Sequence, residues 1–191
     1  PRAVGISGAR ALASFGTFGC AVNEDDEVFC FGPPFEPLAP RSYAEAPDES
    51  RSERPTLVTE LSGASRIELG AGHACALSTS SGPTADARSV VAETNRSPER
   101  GGQLWCWGNN ESGQLGNAVN AHSSLPVRVQ GLEDVDAFAV AGSSTCAIAN
   151  GELWCWGHRA GMPPLVTPED DPCRDPKSVC VPHRIAAFKE R

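Results

Sequence analysis

The chain has 191 residues, 40% hydrophobic and 21% charged, with a formal net charge of −8. This length allows one domain with a real core or two small ones, and the composition is too apolar for a disordered chain. The negative charge disfavours nucleic acid or an anionic membrane as partner, and no apolar run reaches the ~18 residues of a bilayer-spanning helix. No signal peptide opens the chain, so a mature, processed or excised sequence is expected. Nineteen glycines and sixteen prolines are dispersed along it, which suits short strands joined by turns. Eight cysteines, none in Cys-x-x-Cys spacing, point to disulfides and an oxidising compartment ahead of zinc.

In chain order, the first unit is "PRAVGISGARALASFGTFGCAV" followed by "NEDDEVFCFGPP". A three-residue loop at Glu24, Asp25 and Asp26 sets Val22 opposite Val28 and Cys20 opposite Cys30. The second unit opens with "RPTLVTELSGASRIELGAGHACAL" at 54–77 and continues with "QLWCWG" at 103–108. Leu77 opposite Leu104 puts Cys75 opposite Cys106, with the intervening residues looped out. The third unit, "LPVRVQGLEDVDAFAVAGSSTCAI" at 125–148, aligns with 54–77 without a gap, and in both a proline precedes the cysteine by twenty positions. Here Asn150-Gly151 is a hairpin signal, because a type I′ turn needs positive φ at both central residues. That turn pairs Ala149 with Glu152, Ile148 with Leu153, Ala147 with Trp154 and Cys146 with Cys155. Counted outward, the cysteines fall at a non-hydrogen-bonded site, where Cα atoms come within about 4.5 Å and can be bridged. Three units with three different loops keep one cysteine register. Cys173 and Cys180 lie outside it, and are expected to staple a surface loop. "VPHRIAAFKER" at 181–191 begins a fourth unit. The expected organisation is one repeat domain over 1–191, with repeats at 1–53, 54–124 and 125–180 and the start of a fourth at 181–191.

With the register in place, the residues resemble a known family. "LWCWGNNESGQLGN" is similar to the signature of the regulator of chromosome condensation repeats: an aromatic strand ending in Trp-Gly, then Asn-x-x-Gly-Gln-Leu-Gly, here Asn110, Gly113, Gln114, Leu115 and Gly116. "GAGHACAL" fits the family's lead-in at Gly70, His73, Ala76 and Leu77. The third unit keeps "ELWCWG" but continues as "HRAGMPP", and the first retains "VFCFGPP". Cysteines at both strand positions look most like bacterial secreted or surface-exposed versions. The resemblance implies an all-β fold: a β-propeller of four-stranded blades, here a partial one of three blade-like repeats plus the start of a fourth, with long inserted loops and cross-strand disulfides. Propellers close with roughly four to eight blades. Three units therefore leave two expectations: a fragment of a longer protein, or a partial propeller that covers its open edges by association. The stop within the fourth unit and the in-phase start favour the fragment.

No catalytic, metal or cofactor site is expected. His73 sits where the resemblance implies a structural role between blades, and no acid–nucleophile set accompanies it. His122, His158 and His183 read as solvated loop residues. Ser143-Ser144-Thr145 reads as turn and edge polarity and lacks the Gly-x-Ser-x-Gly of a nucleophile elbow. The runs "NEDDE" at 23–27 and "PEDDP" at 168–172 could attract calcium, but lack the spaced ligands and glycine of a calcium loop. "SGQLG" lacks the helix N-terminus and lysine of a phosphate cradle. Trp105, Trp107, Trp154 and Trp156 face away from the cysteines in alternating strands, Trp105 over Ala76 and Trp154 over Ala147. That is the geometry of packing between blades, with a carbohydrate-stacking platform as the rival.

The polar insertions 36–53, 79–101 and 158–180 exceed hairpin needs, and loops of this length are functional or disordered. On a rigid scaffold they could form a recognition rim, or they are tolerated insertions. The expected function is a non-enzymatic protein-interaction module, a segment of a secreted or cell-surface propeller in an extracellular, periplasmic or surface compartment. Its expected partner is a protein or further blades of the same propeller, with self-association through open edges and without nucleic acid or membrane insertion. The alternatives are a structural subunit whose open edges another chain completes, and a carbohydrate-binding propeller.

Overall fold

The structure, a computed structural model, describes residues 5–32, 55–79, 101–160, 172–173 and 177–185. Among these residues every regular element is a strand, and the strands form three antiparallel sheets of four. The first sheet holds β1 (Ala11–Phe15), β2 (Phe18–Val22), β3 (Val28–Phe31) and β4 (Thr56–Leu57), in that order. The second holds β5 (Ala64–Leu69), β6 (His73–Ser78), β7 (Gln103–Gly108) and β8 (Ser123–Arg128). The third holds β9 (Val135–Ala141), β10 (Ser144–Ala149), β11 (Glu152–His158) and β12 (Ser178–Arg184). Each sheet is thus an up-and-down meander, and the partial propeller expected from the repeats is the fold of the chain.

The central hairpin of each sheet has the register its turn dictates. Asn150 and Gly151 both have positive φ, 52° and 75°, and Cys146 pairs with Cys155. At the tip of the β2–β3 hairpin Asp26 has φ 63°, the left-handed residue that closes a three-residue loop, and Cys20 pairs with Cys30. Between β6 and β7, Ser78 pairs with Gln103 and Cys75 with Cys106. The three cross-strand bridges have Cα separations of 4.0, 4.1 and 4.1 Å, the close approach of non-hydrogen-bonded sites. Cys173 and Cys180 stand with Cα atoms 5.4 Å apart at the entry to β12.

Sheet and sequence unit are out of phase by one strand. β4, β8 and β12 are the fourth strands of their sheets, yet β4 lies at the head of the following unit and β8 and β12 run across the border into it. The segment that opens the fourth unit therefore supplies the outer strand of the third sheet. The prolines that mark each unit are tolerated for this reason. Pro126 and Pro182 sit within β8 and β12 where the ladder to the inner strand shifts register, between Cys106/Gly108 and Cys155/Gly157. An edge strand at a bulge can spare the missing N–H. The glycine of the aromatic strand is required by close approach in the first and third sheets: a Cβ on Gly157 would lie 2.4 Å from the Ser143 carbonyl oxygen, and one on Gly32 would lie 2.4 Å from that of Thr17.

Candidate interaction surface

Period-two alternation gives each sheet two unlike faces. One carries the disulfide with a pair of aliphatic side chains beside it. The other carries small residues beneath aromatic ones. The disulfide face of the first sheet (Cys20, Cys30, Val22, Val28) is buried in one core with Ala74, Ala76, Trp105 and Trp107 of the second. The disulfide face of the second sheet (Cys75, Cys106, Leu77, Leu104) is buried with Phe138, Ala147, Ala149 and Trp156 of the third. The same contact is made twice, in the same direction along the chain.

Polar groups fix the second of these contacts. His73 is fully buried on β6, and its Nε2 lies 3.0 Å from Oγ1 of Thr145 on β10. The Thr145 hydroxyl donates to the Gln114 carbonyl at 3.0 Å, so its proton is committed and His73 Nε2–H must be the donor. The Trp156 indole N–H also donates to the Gln114 carbonyl, at 3.0 Å. Gln114 is held in turn by its own loop. Its Oε1 accepts from the Ser112 N–H and its Nε2 donates to Asn109 Oδ1. Buried Asn110 ties the loop together, donating to the Val119 and Ala121 carbonyls and accepting from the Leu115 N–H. Gly113 is required where this loop crosses the third sheet, because a Cβ there would lie 2.7 Å from Cys180 Cα. Residues 109–122 are therefore a clamp between two sheets. The His73 role is structural, and Thr145, read from sequence as edge polarity, is a buried link in the same chain. The sequence offered no sign of it, since its partner is 72 residues away.

This placement has a pH consequence. His73 Nδ1 is buried without a hydrogen-bond partner among the described residues, and burial pushes the His73 pKa from 6.5 down to about 4. An unfolded chain binds this proton below about 6.5 and the folded one only below about 4. Stability from neutral burial is thus complete above pH ~6.5 and is lost as pH falls through that window, by about 3 kcal/mol at full protonation. Urea unfolding at pH 7.5 and 4.5 should show this loss, and His73→Leu should flatten that part of the profile. A wild-type midpoint unmoved between the two values would contradict the assignment.

The remaining candidates resolve as follows. The tryptophans form no stacking platform: Trp105, Trp107 and Trp156 are buried, and half-buried Trp154 packs against the second core. In "NEDDE" the turn uses its own groups: Asn23 Oδ1 accepts from the Asp25 and Glu27 N–H groups, Asn23 Nδ2 donates to Glu27, and Arg10 pairs with Asp26. "PEDDP" lies outside the described residues except for Pro172. His122 is exposed as expected, but its Nδ1 accepts the Asn110 N–H at 3.0 Å. His158 ends β11 and His183 lies in β12, so neither is a loop residue.

The insertions 36–53, 79–101 and 158–180 fall mostly outside the described residues, but their anchor strands are defined. The first and third connect the third and fourth strands of their sheets, as the 109–122 clamp does in the middle sheet. The second connects β6 to β7, at the opposite strand ends. Neighbouring sheets run in the same sense, as the bond from Ala71 N–H to the Gly142 carbonyl shows by joining equivalent turns at 2.8 Å. Two of the three insertions thus leave from one end of the stack, with the clamp between them.

Stacked four-stranded meanders joined face to face define a segment of a β-propeller. Residues 101–149 match the regulator of chromosome condensation (RCC1) repeat. Solved structures similar to it include human WBSCR16 (TM-score 0.66, 18% identity, 93% of this chain and 39% of that one). Prp20p from Saccharomyces cerevisiae is also similar (TM-score 0.64, 18% identity, 93% and 38%), as is yeast RCC1 (Prp20) in a crystal structure with Kap60 bound (TM-score 0.62, 17% identity, 93% and 37%). The chain spans about two fifths of the length of these proteins. Among curated proteins none matches the chain.

Proposed function

We propose that the chain is a non-enzymatic protein-interaction module, a segment of a secreted or cell-surface propeller that presents its insertions to a protein partner. The observation that carries this reading is the shared exit of the 36–53 and 158–180 insertions at one end of a rigid stack. Recognition elements on a rigid scaffold lose less freedom on binding than elements on a mobile one. The similar yeast protein supports it by analogy: Prp20p has been crystallised with Kap60, and its binding to Gsp1p and histones has been described. Four cysteine pairs at bridging distance support an oxidising compartment.

The test is to replace residues 36–53 with a short Gly-Ser linker and compare capture of partners from the extracellular fraction of the source cells. The expected result is an unchanged melting temperature with at least tenfold weaker capture. Undiminished capture by this variant, or turnover of a substrate by the wild type, would overturn the reading. Eight free thiols in protein recovered under oxidising conditions would overturn the compartment.

A second reading, a structural subunit whose open ends another chain covers, is favoured by a different observation: among the described residues, Leu12 in the first sheet and Ile148 and Leu153 in the third are exposed apolar side chains.

A further inference from the structure

The two junctions between sheets are alike in their apolar parts and differ in one polar network. At the junction of the second and third sheets, His73 on β6 meets Thr145 on β10, and Trp156 lies across the ladder from Thr145. At the junction of the first and second sheets, Phe18, Ala74 and Trp107 hold the same places and are buried in one core. Phe18 precedes Cys20 by two residues as His73 precedes Cys75, and Ala74 precedes Cys75 as Thr145 precedes Cys146. One junction thus has apolar side chains where the other has a chain of buried donors and acceptors.

That chain has no place for a second proton on the imidazole. The His73 Nε2–H is spent on Thr145, and the Thr145 hydroxyl on the Gln114 carbonyl, which also takes the Trp156 N–H. A proton added at Nδ1 finds no acceptor, since that atom is buried without a partner among the described residues. Gly70 presses on the same edge of the ring, where a Cβ would lie 2.7 Å from His73 Cε1. The surrounding elements bring no compensating charge. β7 and β10 hold no ionisable side chain, and Arg66 and Glu68 on β5 pair with each other. Asp136 on β9 and Glu111 in the clamp are exposed, Glu152 on β11 pairs with Arg184, and His158 Nδ1 accepts the Ala160 N–H. We infer that His73 makes this junction an acid-released latch: its protonation parts the third sheet from the second while the first and second stay joined. The charged ring is hydrated only with the junction open, so the open form takes up the proton that the closed form refuses. Stacked units hold together through nearest-neighbour contacts, and one junction can yield before the rest. Opening uncovers the disulfide face of the second sheet, with Leu77 and Leu104. This goes beyond the loop-mediated reading and does not rest on it.

Two fully buried indole protons report the two junctions separately, Trp156 at one and Trp107 at the other. Their exchange with solvent is followed by NMR of the nitrogen-15-labelled chain. Signals are assigned from Trp107→Phe and Trp156→Phe, and rates are divided by those of free tryptophan at the same pH. A ring that titrates at 6.5 in the open form and about 4 in the closed one raises the open fraction about thirtyfold between pH ~7.5 and ~5. Trp156 protection should fall by that factor, and Trp107 protection should hold. Trp156 protection unchanged with pH, or both falling together, would overturn the inference. His73→Phe combined with Thr145→Ala copies the other junction, and Trp156 should there lose its pH dependence. Retention of that dependence would place the acid-sensitive group elsewhere and overturn the inference as well. The wild-type comparison decides by itself if the double variant does not fold.

Discussion

Replacing Cys75 and Cys106 together with alanine is expected to lower the unfolding free energy by about 4 kcal/mol, the largest effect of any cross-strand bridge. The reason lies in the unfolded chain. The bridge closes a span of 31 residues, against 10 for Cys20–Cys30 and 9 for Cys146–Cys155. Loop-closure entropy grows with the logarithm of the span, giving about 4 kcal/mol for the long one and about 2.5–3 kcal/mol for each short one. The difference exists because residues between Ser78 and Gln103 extend a hairpin that in the third sheet needs only two turn residues. The insertion thus makes its own sheet depend most on its bridge. Urea midpoints of the three double-alanine variants should rank accordingly. Equal losses across the three would show that stabilisation comes from the folded packing instead.

Trp107→Ala should cost about 3–5 kcal/mol, the range for emptying an aromatic site in a packed core. Trp107 is fully buried, sits over Ala74 in the ladder, and shares its core with the Cys20–Cys30 bridge of the preceding sheet. The alanine beneath it offers no bulk to collapse into the void. Its indole N–H has no partner among the described residues, so the loss is one of packing alone. Trp107→Phe should therefore be far milder, as Phe31 at the equivalent place in the first sheet illustrates. The equivalent Trp156 differs, since its N–H donates to the Gln114 carbonyl. Trp156→Phe should lose about 1 kcal/mol more than Trp107→Phe for that bond. Chemical denaturation of the four variants measures all of this, and equal costs for Trp107→Ala and Trp107→Phe would contradict the packing account.

What the sequence made legible follows from local geometry. Asn150-Gly151 fixes a turn, a turn fixes a register, and the register places Cys146 against Cys155 and Trp154 over Ala147. None of this needs knowledge of the rest of the chain. The outer strands were harder, because "SSLPVR" and "SVCVPHR" each carry a proline and show no clean alternation. They are strands because the neighbouring aromatic strand offers a free ladder edge, a fact about the sheet and not about the segment. The polar clamp was half legible. Asn110 and Gln114 belong to the motif, but the fact that Gln114 acts through its backbone carbonyl on Thr145 and Trp156 depends on the third sheet. The exposure of Ile148 was invisible for a similar reason: Ile148 and Leu77 are alike in pattern, and only the stack shows which one is covered.

The one-strand offset between unit and sheet decides how the molecule can be divided. A chain cut at residue 124 would lose most of β8, and one cut at 180 would keep less than half of β12. Whole sheets separate only at the short links 58–63 and 129–134. The units overlap like roof shingles, each one lapping the edge of the one before. Truncations, fusions or added copies made at those links would carry complete sheets, whereas the same operations at the visible sequence borders would strip a strand from one neighbour and leave it hanging on the other.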